Sequence, residues 1–330
     1  MEVNTEKVPA GRLTEAEVKD AKQVIGAVMD NIDKVIIGKR HVIELVMLSL
    51  ISGGHVLIED VPGVGKTSLV HALARSINCS FKRIQFTPDI MPSDVTGFSI
   101  YNQKTGEFEF RPGAVMGNII LADEINRASA KTQASLLEAM EEKQVTVDSE
   151  TYYLEEPFIV LATQNPIESF GTYPLPEAQI DRFLMKISIG YPQFEEEIRV
   201  VSLDKRAKTL APVTEKESVV KLQQLAGRVH VDPMITRYMV ELVAATRNHS
   251  DLILGSSPRG GIALNKLSRA YALLQGRDYV IPDDVKYLAP FALSHRISLT
   301  HDAKINKKSP AKIISSVIDS VLVPVSLKDK

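Results

Sequence analysis

The stretch Glu59-Asp60-Val61-Pro62-Gly63-Val64-Gly65-Lys66-Thr67, directly behind the apolar run Val56-Leu57-Ile58, leaves this chain few folds to choose from. Glycines, a lysine and a hydroxyl in that order wrap a phosphate when a buried strand delivers the loop and a helix carries it away. Both neighbours are present: His55–Ile58 reads as a short buried strand, and Leu69, Val70, Leu73, Ala74 and Ile77 recur with the period of a helix. Backbone amides of the turn would face phosphate oxygens, Lys66 would reach the β- and γ-oxygens, and the Thr67 hydroxyl would hold Mg²⁺. Pro62, Gly63, Val64, Gly65, Lys66, Thr67 and Ser68 are therefore the expected nucleotide-binding residues. Asp60 stands where the usual pattern has a glycine. A carboxylate facing phosphates would repel them, so its side chain is expected to point away from the nucleotide and bond locally.

The 330 residues exceed an ordinary single domain, and 44% apolar content is enough to fill two cores. A net charge of −2 gives no overall field to recruit nucleic acid or anionic lipid. The single cysteine, Cys79, excludes a disulfide framework and a cysteine-based zinc site. It reads as a small buried hydrophobe behind the phosphate-loop helix. The start, Met1 to Glu6, has neither a basic region nor an apolar core, and no long apolar run follows, so a cytoplasmic chain without a membrane span is expected.

Residues 1–15 are polar and expected to fray. Helical periodicity follows over Ala16–Asp33 and again over Arg40–Ile51. Apolar strands then recur at His55–Ile58, Phe81–Phe86, Asn118–Ala122, Phe158–Thr163 and Phe183–Ile189, separated by crossovers, the pattern of a five-stranded parallel sheet covered on both faces. Two crossovers carry hairpins, Ser99–Phe110 turning at Lys104-Thr105-Gly106 and Gln144–Leu154 turning near Asp148-Ser149. After Pro192 the chain reads as helices, among them Phe194–Asp204, Glu215–Arg228, Pro233–Asn248 and Pro258–Gln275. The expected architecture is an α/β phosphate-loop domain over 1–192 and an all-α lid over 193–330.

Asn118-Ile119-Ile120-Leu121-Ala122-Asp123-Glu124 is an apolar strand ending in two carboxylates. Downstream of a phosphate loop, Asp123 would hold the metal shell and Glu124 would orient and polarise the attacking water. Phe158–Thr163 ends in Gln164-Asn165-Pro166, which puts the amide of Asn165 where ligands of parallel sheets bind, beyond the carboxyl ends of the strands. Arg127, just after the carboxylates, could contact nucleotide or a neighbouring subunit, or cap the helix that follows. His41, His55 and His71 have no metal-ligand spacing and read as structural.

Val35-Ile36-Ile37-Gly38, Glu59–Thr67, Leu121–Asn126, Ala162–Pro166, Asp181-Arg182-Phe183 and Ser257-Pro258-Arg259 occur in the order expected of an AAA+ ATPase. The segments Gln85–Gly97, Ile125–Ala128 and Leu175–Phe183 narrow the resemblance to the MoxR subfamily, over about Val35 to Ala292. Asp60 at the first loop position also occurs in that subfamily. The resemblance implies that Ile36, Ile37 and Gly38 line the adenine pocket, that Asn165 is sensor 1, and that Arg182 is an arginine finger inserted into the neighbouring subunit's nucleotide. It implies further that Arg259 is sensor 2, swung onto the γ-phosphate from the helical domain. Ser99–Phe110 would be the helix-2 insert and Gln144–Leu154 the pre-sensor-1 hairpin, the marks of the remodelling branch. A guanidinium fork suits the charge that spreads over the γ-phosphoryl oxygens and stays ionised at any working pH.

The expected activity is Mg²⁺-dependent hydrolysis of ATP by an oligomeric ring, a hexamer by resemblance, remodelling or maturing a protein client with a von Willebrand factor A-domain partner. The alternative is a nucleic-acid motor or DNA-bound regulator on the same core. That would call for a basic, aromatic-bearing hairpin or a reader domain, whereas the first hairpin sets Glu107 and Glu109 beside Lys104 and Arg111.

Overall fold

The computed structural model describes residues 11–165, 172–202 and 210–324. The first ten residues of the expected frayed segment, Pro166 and Asp204 lie outside the described residues. The chain divides into two compact units, one of residues 27–219 and one of residues 1–26 with 220–330. Residues 193–219 group with the first unit and residues 11–26 with the second.

The first unit is built on strands β1 (Val56–Glu59), β2 (Phe81–Gln85), β3 (Gly97–Asn102), β4 (Glu107–Pro112), β5 (Ile119–Asp123), β6 (Gln144–Val147), β7 (Glu150–Tyr153), β8 (Ile159–Gln164) and β9 (Met185–Ile187). Five of them form one sheet in the order β2-β5-β8-β1-β9. Every pairing in it is parallel, with Val56 opposite Leu161 and Met185, and Leu121 opposite Arg83 and Leu161. Parallel pairing puts all five carboxyl ends on one edge, so Glu59, Gln85, Asp123 and Gln164 finish side by side. Continuous apolar runs are what a strand covered on both faces needs. Val56, Leu57 and Ile58 are at most 1% exposed, as are Ile119, Ile120, Leu121 and Ala122. Leu57, Ile120, Ala122, Val160 and Ala162 share one core with Phe86, Leu136, Leu137 and Phe183.

Helices α1 (Glu15–Asp33) and α2 (Arg40–Ile51) precede these strands in the chain, and α3 (Lys66–Ser76), α4 (Pro92–Thr96) and α5 (Ala130–Glu142) lie between them. Ser129 caps α5, its hydroxyl accepting the Thr132 amide at 3.3 Å, while Gln133 inside the helix donates to the carbonyls of Ile125, Ala128 and Tyr173. The hairpins β3–β4 and β6–β7 are antiparallel. The second turns at Asp148 and Ser149, both with positive φ (49° and 71°), the handedness that matches strand twist in a two-residue loop. Phe110 of β4 stacks on Tyr152 of β7 with ring centroids 3.8 Å apart and planes 13° from parallel.

His55 shows why it is structural. Its Nδ1 accepts the Val160 amide at 3.0 Å, its Nε2 lies 3.0 Å from the Met140 carbonyl as the donor, and Phe158 meets its ring edge-on. The half-buried Cys79 is a poor nucleophile: burial pushes its thiol up to about 12.

The second unit is helical, with Pro233–Arg247, Pro258–Gln275, Pro282–Leu293 and Pro310–Ser320, but not purely so. A two-stranded ribbon pairs Leu252–Leu254 with Ser298–Leu299. At its N-terminal end Thr14 and Glu17 form a capping box, the Thr14 amide donating to Glu17 at 2.8 Å and the Glu17 amide to Thr14 at 3.2 Å. Arg228 donates to the same Glu17 carboxylate at 2.6 Å.

Candidate nucleotide site

Glycine is required where the phosphate loop turns into α3. Gly63 and Gly65 adopt φ of 87° and 91°, the left-handed region that side chains with a Cβ avoid, and a Cβ on either would meet nothing within 4 Å. The loop is therefore an open cradle whose first helical amides have no partner inside the helix. Those amides and the positive end of the helix dipole make a seat for an anion. Lys66 keeps its ammonium at the loop by donating to the Asp60 carbonyl at 2.9 Å.

The cavity under this loop, ≈ 390 Å³, is lined by Pro62, Gly63, Gly65, Lys66, Thr67 and Ser68 from the loop, Arg83 and Gln85 from β2, Asp123 and Glu124 from the end of β5, and Asn165 from the end of β8. Its size suits a small ligand. Six of the seven expected loop residues meet there with Asp123, Glu124 and Asn165; Val64 is not in the lining.

Of the neighbours that hold the carboxylates, sequence reading singled out only Arg127. Buried Thr163 accepts the Glu124 amide at 2.8 Å and donates its hydroxyl to Asp123 Oδ1 at 2.6 Å. Arg83 donates to Asp123 Oδ2 at 2.6 Å and to Gln85 Oε1 at 2.9 Å. Gln85 in turn donates to Glu124 Oε2 at 2.9 Å, and Arg127 reaches the same oxygen at 3.1 Å. Arg127 thus braces Glu124, while Ser129 provides the helix cap. Glu124 itself has φ of 57°, a costly conformation for a glutamate that a functional position often retains. Arg83 and Gln85 did carry a signal: polar residues two apart, on either side of the buried Ile84, face the same way along a strand.

Asp60 does point away from the loop's concavity, and further than local bonding. Oδ1 accepts the Val61 amide at 2.9 Å, while Oδ2 accepts the amides of Ile189 and Gly190 at 2.6 and 2.7 Å and the Ser188 hydroxyl at 3.1 Å. It ties the loop's first residue to the segment leaving β9.

The remaining expected residues lie elsewhere. Ile36, Ile37 and Gly38 form the turn between α1 and α2 and do not line the phosphate cavity. Gly38 has φ of 71°, and Glu196 packs so closely that a Cβ there would sit 2.0 Å from its carboxyl. Arg182 lines a different cavity with Glu138, Glu141 and Glu142, its Nε 3.1 Å from Glu141 Oε2. Glu138, Glu141 and Glu142 form an exposed acidic face of α5, and it carries this ion pair. Arg259 is exposed at the second position of Pro258–Gln275, its amide donating to the Ser257 hydroxyl at 3.1 Å.

The donor set fits magnesium. The Thr67 hydroxyl and the Asp123 carboxylate both line this cavity and are hard oxygens, the few protein ligands that Mg²⁺ takes when substrate phosphates and water supply the rest. Among the described residues no cluster of three His, Cys, Asp or Glu side chains is placed to hold a metal by itself. Nor is any helix among them long and apolar enough to cross a membrane.

A family model described as the ATPase family associated with various cellular activities matches residues 55–185, and a model described as the AAA lid domain matches 244–317. Over 310 residues the chain is 56% identical to the uncharacterized protein YeaC of Bacillus subtilis, covering 93% of this chain and 97% of that one. It is 42% identical over 303 residues to Chaperone MoxR1 of Mycobacterium tuberculosis, covering 89% and 80%. A crystal structure of a candidate ATPase from Cytophaga hutchinsonii superposes with a TM-score of 0.88 at 41% identity, over 94% of this chain and 98% of that one.

Proposed function

The chain belongs to the MoxR-type AAA+ ATPases, and on that footing we propose that it hydrolyses Mg·ATP to ADP and phosphate as an oligomeric ring that remodels or matures a protein client. The observation that carries the reading is the single cavity in which Lys66, Thr67, Asp123, Glu124 and Asn165 meet beneath the two left-handed glycines.

Each residue has a part that follows from its chemistry. The loop amides and Lys66 bind the β- and γ-phosphates and offset their charge. Thr67 and Asp123 hold magnesium, which when bound supplies charge neutralisation across the phosphate oxygens. Glu124 orients and polarises the attacking water, with Asn165 beside the γ-phosphate. Arg182 of a neighbouring copy and Arg259 of the helical lid offer guanidinium groups to the charge developing on the γ-phosphoryl oxygens. Ile36, Ile37 and Gly38 form the adenine side of the site. In this reading residues 1–192 are the ATPase domain and 193–330 the lid. The ring is a hexamer, the setting cytoplasmic, and the partners are a von Willebrand factor A-domain protein and a client complex rather than nucleic acid. The name of the Mycobacterium tuberculosis relative, a chaperone, supports the client reading.

Phosphate release by the wild type and by Glu124→Gln, at concentrations where rings form, tests the assignment. Losing the water-activating carboxylate should slow turnover about 10²-fold or more while nucleotide binding persists. Equal rates would remove Glu124 from the chemistry.

A further inference from the structure

We propose that Arg83 is a countercharge for Asp123 that keeps divalent metal out of the nucleotide-free site, so that metal is admitted only together with nucleotide. The inference deepens the ATPase reading and rests on it.

Both oxygens of Asp123 are occupied. Oδ1 accepts the Thr163 hydroxyl at 2.6 Å and Oδ2 faces the Arg83 guanidinium at 2.6 Å. The Asp123 side chain is only 16% exposed, so its charge is poorly screened, whereas Arg83, 47% exposed, sits at the wetter side of the pair. The register explains how Arg83 gets there. β2 and β5 are adjacent and parallel, Gln85 lies opposite Asp123, and Arg83 two residues earlier projects on the same side as Gln85. Arg83 also holds Gln85, which holds Glu124, so one cation organises both carboxylates.

Against this cation an incoming Mg²⁺ has little to gain. The cavity offers it the Thr67 hydroxyl, an Asp123 carboxylate whose Oδ2 already meets a positive charge, and a Glu124 carboxylate whose Oε2 is held by Gln85 and Arg127, and Mg²⁺ gives up water reluctantly for ligands so engaged. Phosphates change the balance, because they bring further oxygens and several negative charges into the same cavity, enough to satisfy the metal and the guanidinium together. Arg83 therefore acts as a positioning residue: it fixes the order in which the site is filled.

Manganese titration of nucleotide-free protein, with free Mn²⁺ read by electron paramagnetic resonance, tests this without any turnover. Wild type should leave Mn²⁺ free. Arg83→Met should take up one Mn²⁺ per chain roughly tenfold more tightly, the weight of one charge-assisted hydrogen bond. Asp123→Asn placed in the Arg83→Met background should abolish that gain, and Arg83→Lys, which keeps a cation, should behave as wild type. Equal affinity in wild type and Arg83→Met, or a gain that survives Asp123→Asn, overturns the proposal. Arg83→Gln serves if Arg83→Met fails to fold. Binding of a fluorescent ADP to the same preparations in chelator reports on the nucleotide reading separately. Its absence in the wild type would overturn that reading while the Mn²⁺ comparison still judges Arg83.

Discussion

Gln85 Nε2 donates to Glu124 Oε2 across 2.9 Å, on the oxygen that Arg127 also holds at 3.1 Å. With two donors on Oε2, the carboxylate's negative charge is drawn down and it polarises water less strongly. Gln85→Ala should therefore raise basal ATP turnover several-fold, about the weight of one hydrogen bond, with nucleotide affinity unchanged. Steady-state hydrolysis alongside equilibrium binding of a fluorescent nucleotide checks this. A fall in turnover would mean that Gln85 aims Glu124 rather than restrains it.

Replacing Asp60 by the glycine of the common loop pattern should weaken the protein, not improve it. The change leaves the Ile189 and Gly190 amides without their carboxylate at a site only 7% exposed. It should cost roughly 2 kcal/mol, seen as a lower melting temperature in calorimetry. A variant as stable as the wild type would show that water replaces the carboxylate at no cost.

Arg182→Ala should keep nucleotide binding yet lose about 10³-fold or more in turnover at ring-forming concentration. Mixing it with Glu124→Gln should recover part of the activity, since each variant carries the group the other lacks. No recovery on mixing would assign Arg182 to its own protomer.

Acid stability has an identifiable contributor in Glu17, which the Arg228 hydrogen bond, followed by the Thr14 amide, holds down to about 2 from the ordinary 4.5. A folded value below the unfolded one means stability present above about 4.5 and lost as pH falls towards 2. Glu17→Gln should flatten that part of the melting-temperature profile and leave the neutral range almost unsloped. An unchanged acid slope would exclude Glu17 as a contributor.

Legibility in the sequence followed the range of the interactions. The phosphate loop, the carboxylates after β5 and the parallel sheet are written locally, in a glycine turn and in apolar runs of strand length, and these residues meet where expected. Strand order had no such signal, because β1 lies between β8 and β9 through pairings more than a hundred residues apart. The partners of Asp60 are distant for the same reason, nearly 130 residues along the chain. Arg83 and Gln85 were visible as an alternating polar pair, but only the β2–β5 register says that they face Asp123 and Glu124. The ribbon of Leu252–Leu254 with Ser298–Leu299 escaped notice because three residues are too few to establish a period.

The Phe110–Tyr152 stack joins two protrusions that arise from different crossovers of the sheet. Both rings also pack on the core that carries β5 and β8, so the two hairpins share one anchorage. On the proposed ATPase reading, a displacement of β5 and β8 would reach both hairpins through this one anchorage. The two hairpins would then swing as one body rather than independently.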